Sequence, residues 1–178
     1  MAPKAPAPGQ LLSLDIVEGR EGVNAAKKLL KMRSVAGGGI STWDASSIFF
    51  EMSGLEVSDK PSPRTLLLLY AADLFFRLRW EIMPALEEGK DVVAVPYLET
   101  GYAFGAIVGL PKNWLTEVFR FAPKAAESFQ TNGPEVVNLG DATSGFVEFC
   151  SSVLSKDLRP EFAAYFEELK RRGDCRPI

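Results

Sequence analysis

The chain has 178 residues with 20 basic and 23 acidic side chains, and its net charge of −3 argues against a protein that attracts nucleic acid or an anionic membrane. The sequence contains no histidine and only two cysteines, which excludes Ser-His-Asp and Cys-His nucleophile systems and disfavours zinc sites and Cys-x-x-Cys redox pairs. A hydrophobic content of 47% at this length fits one globular domain.

Residues 1–10 are rich in alanine and proline and lack the apolar run of a secretory signal. We therefore expect a disordered lead-in over residues 1–10, followed by a single domain over residues 11–178. The longest apolar stretch, residues 66–76, is shorter than the roughly 20 residues that span a bilayer. A cytoplasmic protein with no membrane or nucleic-acid partner is the expectation.

From residue 11 the chain opens with a β-α-β pattern. Residues 11–17 form a short apolar run typical of a buried strand, and an apolar stripe over residues 23–32 predicts an amphipathic helix. Three consecutive glycines then precede a second predicted strand over residues 40–43.

The rest of the chain continues the alternation of helices and strands. Apolar residues at helical spacing predict helices over residues 65–80, 114–121, 146–154 and 160–172. β-rich runs predict strands over residues 91–95 and 135–139. Such alternation implies an α/β protein with a parallel sheet and helices on both faces. Ligands of these sheets bind beyond the carboxyl ends of the strands, in the turns after Val17, Trp43 and Val95.

The residues in and around those turns resemble the thymidylate kinase family of P-loop kinases. The matching segments are SPRTLLLLYAAD over residues 62–73, GKDVV over 89–93, YLETGYAF over 97–104 and RFAP over 120–123. With the Glu-Gly pair at residues 18–19, the likeness covers residues 11–123. It implies a three-layer, P-loop NTPase-like fold and a homodimer that packs through the helix over residues 66–80.

The resemblance does not extend to the loop with which the family binds phosphate. A P-loop reads G-x-x-x-x-G-K-[ST], whose backbone amides cradle phosphates, whose lysine neutralises charge and whose hydroxyl holds magnesium. Here Asn24 replaces the second glycine, Ala25 the lysine and Ala26 the hydroxyl residue. The predicted remnant is a degenerate phosphate loop made by Gly19, Arg20, Gly22 and Asn24. Arg20 is either an anion contact or a surface group neutralised by neighbouring glutamates.

Other charges of the family are also replaced. Its Arg-Glu-Pro is here Trp43-Asp44-Ala45, the arginine of its long helix is Leu74, and the Asp-Arg before its tyrosine is Val95-Pro96. No arginine lies between residues 124 and 149, where the family carries an arginine-rich lid. We therefore expect no catalytic residue, metal or cofactor, with ATP and Mg²⁺ required only if the chain is a divergent kinase.

The resemblance also marks a candidate nucleoside pocket. Glu21 lies where the family places a carboxylate near the sugar, Tyr70 where a ring faces the base, and Phe104 where a ring closes the deoxyribose side. The alternative is that both rings belong to the core and Glu21 is solvated. Asp73 is either a pocket residue or a buried carboxylate paired with Arg77. The full predicted pocket is Glu21, Trp43, Tyr70, Asp73, Tyr97 and Phe104.

Three functional hypotheses remain open. The first is a non-catalytic thymidylate-kinase-like protein that retains, at most, nucleoside or nucleotide binding. The second is a divergent kinase that transfers phosphate from ATP to thymidine monophosphate. The third is a dimeric interaction protein that uses the helix over residues 66–80.

Overall fold

A parallel sheet forms the centre of the computed structural model, which describes residues 7–15, 19–33, 38–54, 60–130 and 145–177. Within these residues five strands lie in the order β2-β3-β1-β4-β5, and every pairing between neighbours is parallel. The strands are β1 (Leu11–Asp15), β2 (Gly39–Thr42), β3 (Val92–Val95), β4 (Glu127–Gln130) and the two-residue β5 (Arg176–Pro177).

The helices of the described residues connect these strands. They are α1 (Gly19–Met32), α2 (Ile48–Ser53), α3 (Pro63–Arg77), α4 (Met83–Glu87), α5 (Leu98–Ile107), α6 (Lys112–Phe119), α7 (Phe146–Leu154) and α8 (Arg159–Arg172). A π-helical segment, Leu78–Ile82, joins α3 to α4 without a break. None of the helices in this part of the chain is long and apolar enough to cross a bilayer.

Two apolar cores lie on opposite faces of the sheet, which confirms the predicted three-layer α/β fold. The two central strands, β1 and β3, are buried along their whole length, and their residues alternate between the cores. Leu12 and Val93 face a small core with Ala26 and Leu29 of α1, whereas Leu11 belongs to the large core with α3 and α5 to α8. This alternation follows from the two-residue side-chain period of a strand.

Most predicted elements are present, with shifted ends. α1 begins at Gly19 rather than at residue 23, α6 covers Lys112–Phe119, and α7 has the predicted bounds. β1 is described to Asp15, and the last residues of the predicted first strand, 16 and 17, lie outside the described residues. The strand predicted over 135–139 lies outside them too, as do residues 1–6 of the lead-in predicted over residues 1–10.

Several elements were not predicted, among them α2, β4, α5 and the two-residue β5. α2 is only six residues long, β4 has the mixed sequence ESFQ, and α5 contains two glycines that resemble helix breakers. A Cβ atom at Gly101 would lie 2.6 Å from Cζ of Phe119, so the missing side chain lets α5 approach α6 closely. The glycines of α5 are therefore packing positions.

Candidate functional site

The start of α1 occupies the position of the predicted phosphate loop, after the carboxyl end of β1. Gly22 is buried and Asn24 is exposed, and Ala26 is fully buried in the small core. The side chains of Arg20 and Glu21 lie outside the described part of the structure, so their predicted contacts are not placed. At positions 25 and 26 the helix therefore carries alanine methyl groups in place of a cation and a hydroxyl group.

Asp15, at the carboxyl end of β1, connects this strand to the start of α5. One of its carboxylate oxygens accepts hydrogen bonds from the backbone N–H of Tyr97 at 2.8 Å, from the N–H of Thr100 at 3.1 Å and from the Thr100 hydroxyl at 2.7 Å. Burial raises the pKa of Asp15, although these hydrogen bonds act in the opposite direction. Sequence reasoning missed Asp15 because its partners lie more than 80 residues away.

Glu99 lies in the first turn of α5, beside Asp15. Burial, together with the charge of Asp15, raises the pKa of Glu99 to about 7. The Tyr165 hydroxyl of α8 donates a 3.4 Å hydrogen bond to Oε2 of Glu99. Glu99 therefore changes its charge near neutral pH, a property that no sequence pattern indicated.

Asp73 of α3 is fully buried and paired with Arg77 one turn further on. Its Oδ2 lies 3.2 Å from Nε of Arg77. The same carboxylate accepts hydrogen bonds from the N–H groups of Asp44 and Ser46, at 3.1 and 3.0 Å, and from the Ser46 hydroxyl at 2.8 Å. Of the two alternatives for Asp73, the structure shows the buried pair, and the carboxylate also fixes the turn that follows β2.

Arg77 connects α3 to the ends of the neighbouring strands β2 and β3 through hydrogen bonds. Its Nη1 donates to the carbonyl oxygen of Pro96 at 3.0 Å and to that of Ser41 at 3.4 Å. The guanidinium group is fully buried and faces the carboxylate of Asp73. Nη1 and Nε thus contact the protein's own backbone and one internal carboxylate, whereas the buried Nη2 has no hydrogen-bond partner among the described residues.

Three aromatic side chains, Phe49 of α2, Tyr70 of α3 and Phe104 of α5, surround one phenyl ring. We refer to these three as the aromatic cage. The enclosed ring belongs to Phe146 of α7, and its centroid lies 4.5 Å from that of Tyr70, 5.1 Å from that of Phe104 and 5.7 Å from that of Phe49. All four side chains are fully buried. Two of the predicted pocket residues, Tyr70 and Phe104, are therefore brought together, but around a side chain of the protein itself.

The other predicted pocket residues border the cage. The Tyr70 hydroxyl donates to the carbonyl oxygen of Tyr97 at 2.5 Å, and the Tyr97 hydroxyl donates to that of Pro123 at 2.6 Å. The Trp43 ring lies 5.0 Å from that of Phe49, and its buried indole N–H has no acceptor among the described residues. No group of three or more metal-ligating side chains that could hold an ion occurs in the described part of the chain.

The chain is similar to known proteins in part of its sequence. Three curated relatives, each a probable thymidylate kinase, come from Caldivirga maquilingensis (34% identical), Pyrococcus horikoshii (42%) and Pyrococcus abyssi (40%). The chain is related to the thymidylate kinases. The three matches cover 40%, 32% and 32% of this chain, and only 35%, 28% and 28% of the relatives' own lengths. No family model matches the chain.

Solved thymidylate kinases share the fold over nearly the whole chain. The enzyme from Ehrlichia chaffeensis superposes with a TM-score of 0.61 at 12% identity, over 96% of this chain and 86% of its own. The enzyme from Candida albicans gives a TM-score of 0.61 at 15% identity, over 96% and 83%. The architecture of a thymidylate kinase therefore accounts for the described residues, including those beyond residue 123 where the sequence resemblance ends.

Proposed function

We propose that this chain is a thymidylate-kinase-like protein that does not transfer phosphate. The observation that carries the proposal is the start of α1, where Ala25 and Ala26 stand at the positions of the lysine and hydroxyl residue of a P-loop. Phosphoryl transfer depends on positioning and on cationic stabilisation of the phosphates and their metal. Alanine supplies neither a charge nor a metal ligand, so the residues present do not fit a magnesium-bound nucleotide.

Three of the replaced positions are part of the cores, which supports the same proposal. Ala26 and Leu74 are fully buried, and Val95 is 3% exposed, each within an apolar cluster. Each lost contact between a charged side chain and a buried phosphate would remove about 1.5–3 kcal/mol of binding free energy. Several such losses together leave too little attraction for a triphosphate.

Arg77 does not compensate for these losses. It donates hydrogen bonds to two backbone carbonyls at the carboxyl ends of β2 and β3, and Asp73 balances its charge. An incoming phosphate would therefore meet a buried guanidinium group whose charge Asp73 already balances, and the phosphate would itself have to lose its hydration.

The proposal is tested by nucleotide binding and turnover with the intact chain. We expect that neither ATP with Mg²⁺ nor thymidine monophosphate raises the melting temperature, because a ligand that binds only the folded state must stabilise it. Phosphate transfer should also be undetectable, with the Candida albicans thymidylate kinase as the positive control. A melting-temperature rise with both ligands, together with transfer, would contradict the proposal and favour a divergent kinase.

One observation favours an additional role in assembly. Leu68, Ala72, Phe76, Trp80 and Met83 are exposed along α3, the π-helical segment and α4, and we call this set the exposed stripe. Its members are all apolar and recur at helical spacing, so two copies can pack them against each other about a two-fold axis. We propose that a second copy of this chain covers the exposed stripe.

A further inference from the structure

The contact between α8 and α5 has an apolar part and a polar part. Phe162 and Phe166 of α8 are buried in the large core. Between them in sequence lies Tyr165, whose hydroxyl donates a 3.4 Å hydrogen bond to Oε2 of Glu99 in the first turn of α5. Tyr165 and Glu99 are both half-buried. The contact therefore places a carboxyl group at the edge of an apolar core.

Titratable groups from β1, from α5 itself, from α8 and from the residues after α8 interact with Glu99. They are Asp15, Tyr102, Tyr165, Asp174 and Cys175. Three cations act on these neighbours, which are Arg77 on Asp15, Arg172 on Tyr165 and Lys170 on Cys175. No ion pair to Glu99 itself occurs among the residues that the structure describes. A negative charge on Glu99 would thus face other carboxyl groups without a partner cation of its own.

Ionised Glu99 is disfavoured while α8 is in place. Burial and the charge of Asp15 raise the pKa of Glu99 to about 7, and the hydrogen bond from Tyr165 offsets this only in part. When α8 moves away, water reaches the carboxylate and the pKa returns toward its ordinary value of 4.5. Protonated Glu99 therefore favours the closed contact, and ionised Glu99 favours the open one.

We propose that Glu99 and Tyr165 form a proton-dependent latch, which holds α8 on α5 while Glu99 carries its proton and lets α8 open locally when the proton leaves. We call this pair the α8 latch. Opening uncovers the part of the large core that Phe162 and Phe166 cover. The small core beside α1 lies on the other face of the sheet and takes no part. The latch operates whether or not the chain transfers phosphate.

Linkage gives the size of the effect. With a pKa of 4.5 in the open state and about 7 in the closed state, the open population rises about tenfold per pH unit between these values. The rise ends above pH 7, because Glu99 is then ionised in both states. From pH 5.5 to pH 8 the open population should therefore increase about 20–30-fold. The chain contains no histidine, the side chain that ordinarily titrates in this range.

Hydrogen exchange of backbone amides in the intact chain tests the latch. Exchange is measured at pH 5.5 and pH 8, and each rate is corrected for the intrinsic pH dependence of amide exchange. We expect the corrected exchange of α8 amides in the wild type to increase about 20–30-fold between the two pH values. In Glu99→Gln the increase should be less than about threefold, because the amide does not titrate and only Asp15 keeps its raised pKa.

Glu168→Gln is the matched control on α8 itself. Glu168 is paired with arginines, which lower its pKa to about 2, so it stays ionised at both pH values. This variant should keep the pH dependence of the wild type. Equal corrected exchange of α8 amides at the two pH values in the wild type would overturn the proposal. So would an equal pH dependence in Glu99→Gln, and the wild-type measurement alone decides the outcome if that variant does not fold.

Low concentrations of urea separate local opening from global unfolding. Global unfolding exposes most of the buried surface and depends steeply on urea, whereas release of one helix exposes little surface. At pH 8 we expect α8 amides to exchange faster than those of the buried strands β1 and β3, and with a shallower dependence on urea. Amides of α8 that match the strands in both respects would overturn the latch, because Glu99 would then respond only to global unfolding.

Discussion

Glu99 is the residue whose charge state is most sensitive to its surroundings. A carboxylate in the first turn of a helix is ordinarily stabilised by the helix dipole. Here burial and the neighbouring Asp15 outweigh that effect and raise the pKa of Glu99 to about 7. The negative charge of Asp15 disfavours ionisation of Glu99, and burial also raises the pKa of Asp15 itself.

The raised pKa of Glu99 predicts how stability depends on pH. The unfolded chain ionises Glu99 near its ordinary pKa of 4.5, whereas the folded chain keeps it protonated up to about pH 7. The contribution of protonated Glu99 to the free energy of unfolding is therefore complete below pH 4.5, decreases as the pH rises to 7, and is absent above pH 7. We expect Glu99→Gln to stabilise the protein at pH 8 by up to about 3 kcal/mol, and much less at pH 4.5.

Urea denaturation of Glu99→Gln and the wild type at both pH values measures this difference. Glu168→Gln is the control, because Glu168 is exposed and its arginine neighbours lower its pKa to about 2. That substitution should not increase stability at pH 8. An equal effect of Glu99→Gln at the two pH values would show that Glu99 has an ordinary pKa in the folded chain.

At the scale of elements, the Asp73–Arg77 pair fastens α3 to the ends of β2 and β3. Asp73→Ala would leave a buried guanidinium group uncompensated and two turn N–H groups without their acceptor. We expect a loss of about 3–5 kcal/mol in the free energy of unfolding. Glu168→Ala removes the partner of Arg172, and of Arg171, on the exposed surface of α8, and it should cost much less than Asp73→Ala.

Denaturant unfolding of the two variants tests this contrast. Similar losses in both would mean that the Asp73–Arg77 pair contributes no more than an exposed ion pair. The comparison is matched because each substitution removes an acidic residue that precedes its arginine by one helical turn. The two pairs differ in burial and in the hydrogen bonds that Asp73 accepts from the turn after β2.

Among the elements that the sequence predicted, α8 and β3 have clear apolar patterns and agree with the prediction closely. α7 also has its predicted bounds, although small and polar residues dilute its pattern. α5 was missed because Gly101 and Gly105 resemble breakers, and their function in packing against Phe119 and Leu115 depends on residues of another helix. β4 was missed because its four residues alternate weakly and are mostly half-buried.

At the scale of the whole molecule, the chain shares its fold with solved thymidylate kinases although few residues are identical. A TM-score of 0.61 at 12% identity means that packing, rather than particular residues, defines the architecture. The resemblance led to Tyr70 and Phe104 as candidate pocket residues, but it could not indicate Phe146. That residue comes from a helix beyond the matching segments, and only the folded chain places its ring between the other two.

The exposed stripe gives the last prediction, which concerns assembly. If a second copy covers the stripe, Phe76→Glu places a carboxylate in the interface twice, once from each protomer. With a cost of about 1.5–2 kcal/mol per copy, the dimer should weaken by at least about 100-fold. Phe121→Glu is the control, because Phe121 is 74% exposed, lies outside the stripe and stacks only with Arg120 in the described contacts. Sedimentation should show that the wild type and Phe121→Glu are dimers and that Phe76→Glu is a monomer. A wild type that stays monomeric at about 100 μM would exclude the stripe as a stable interface.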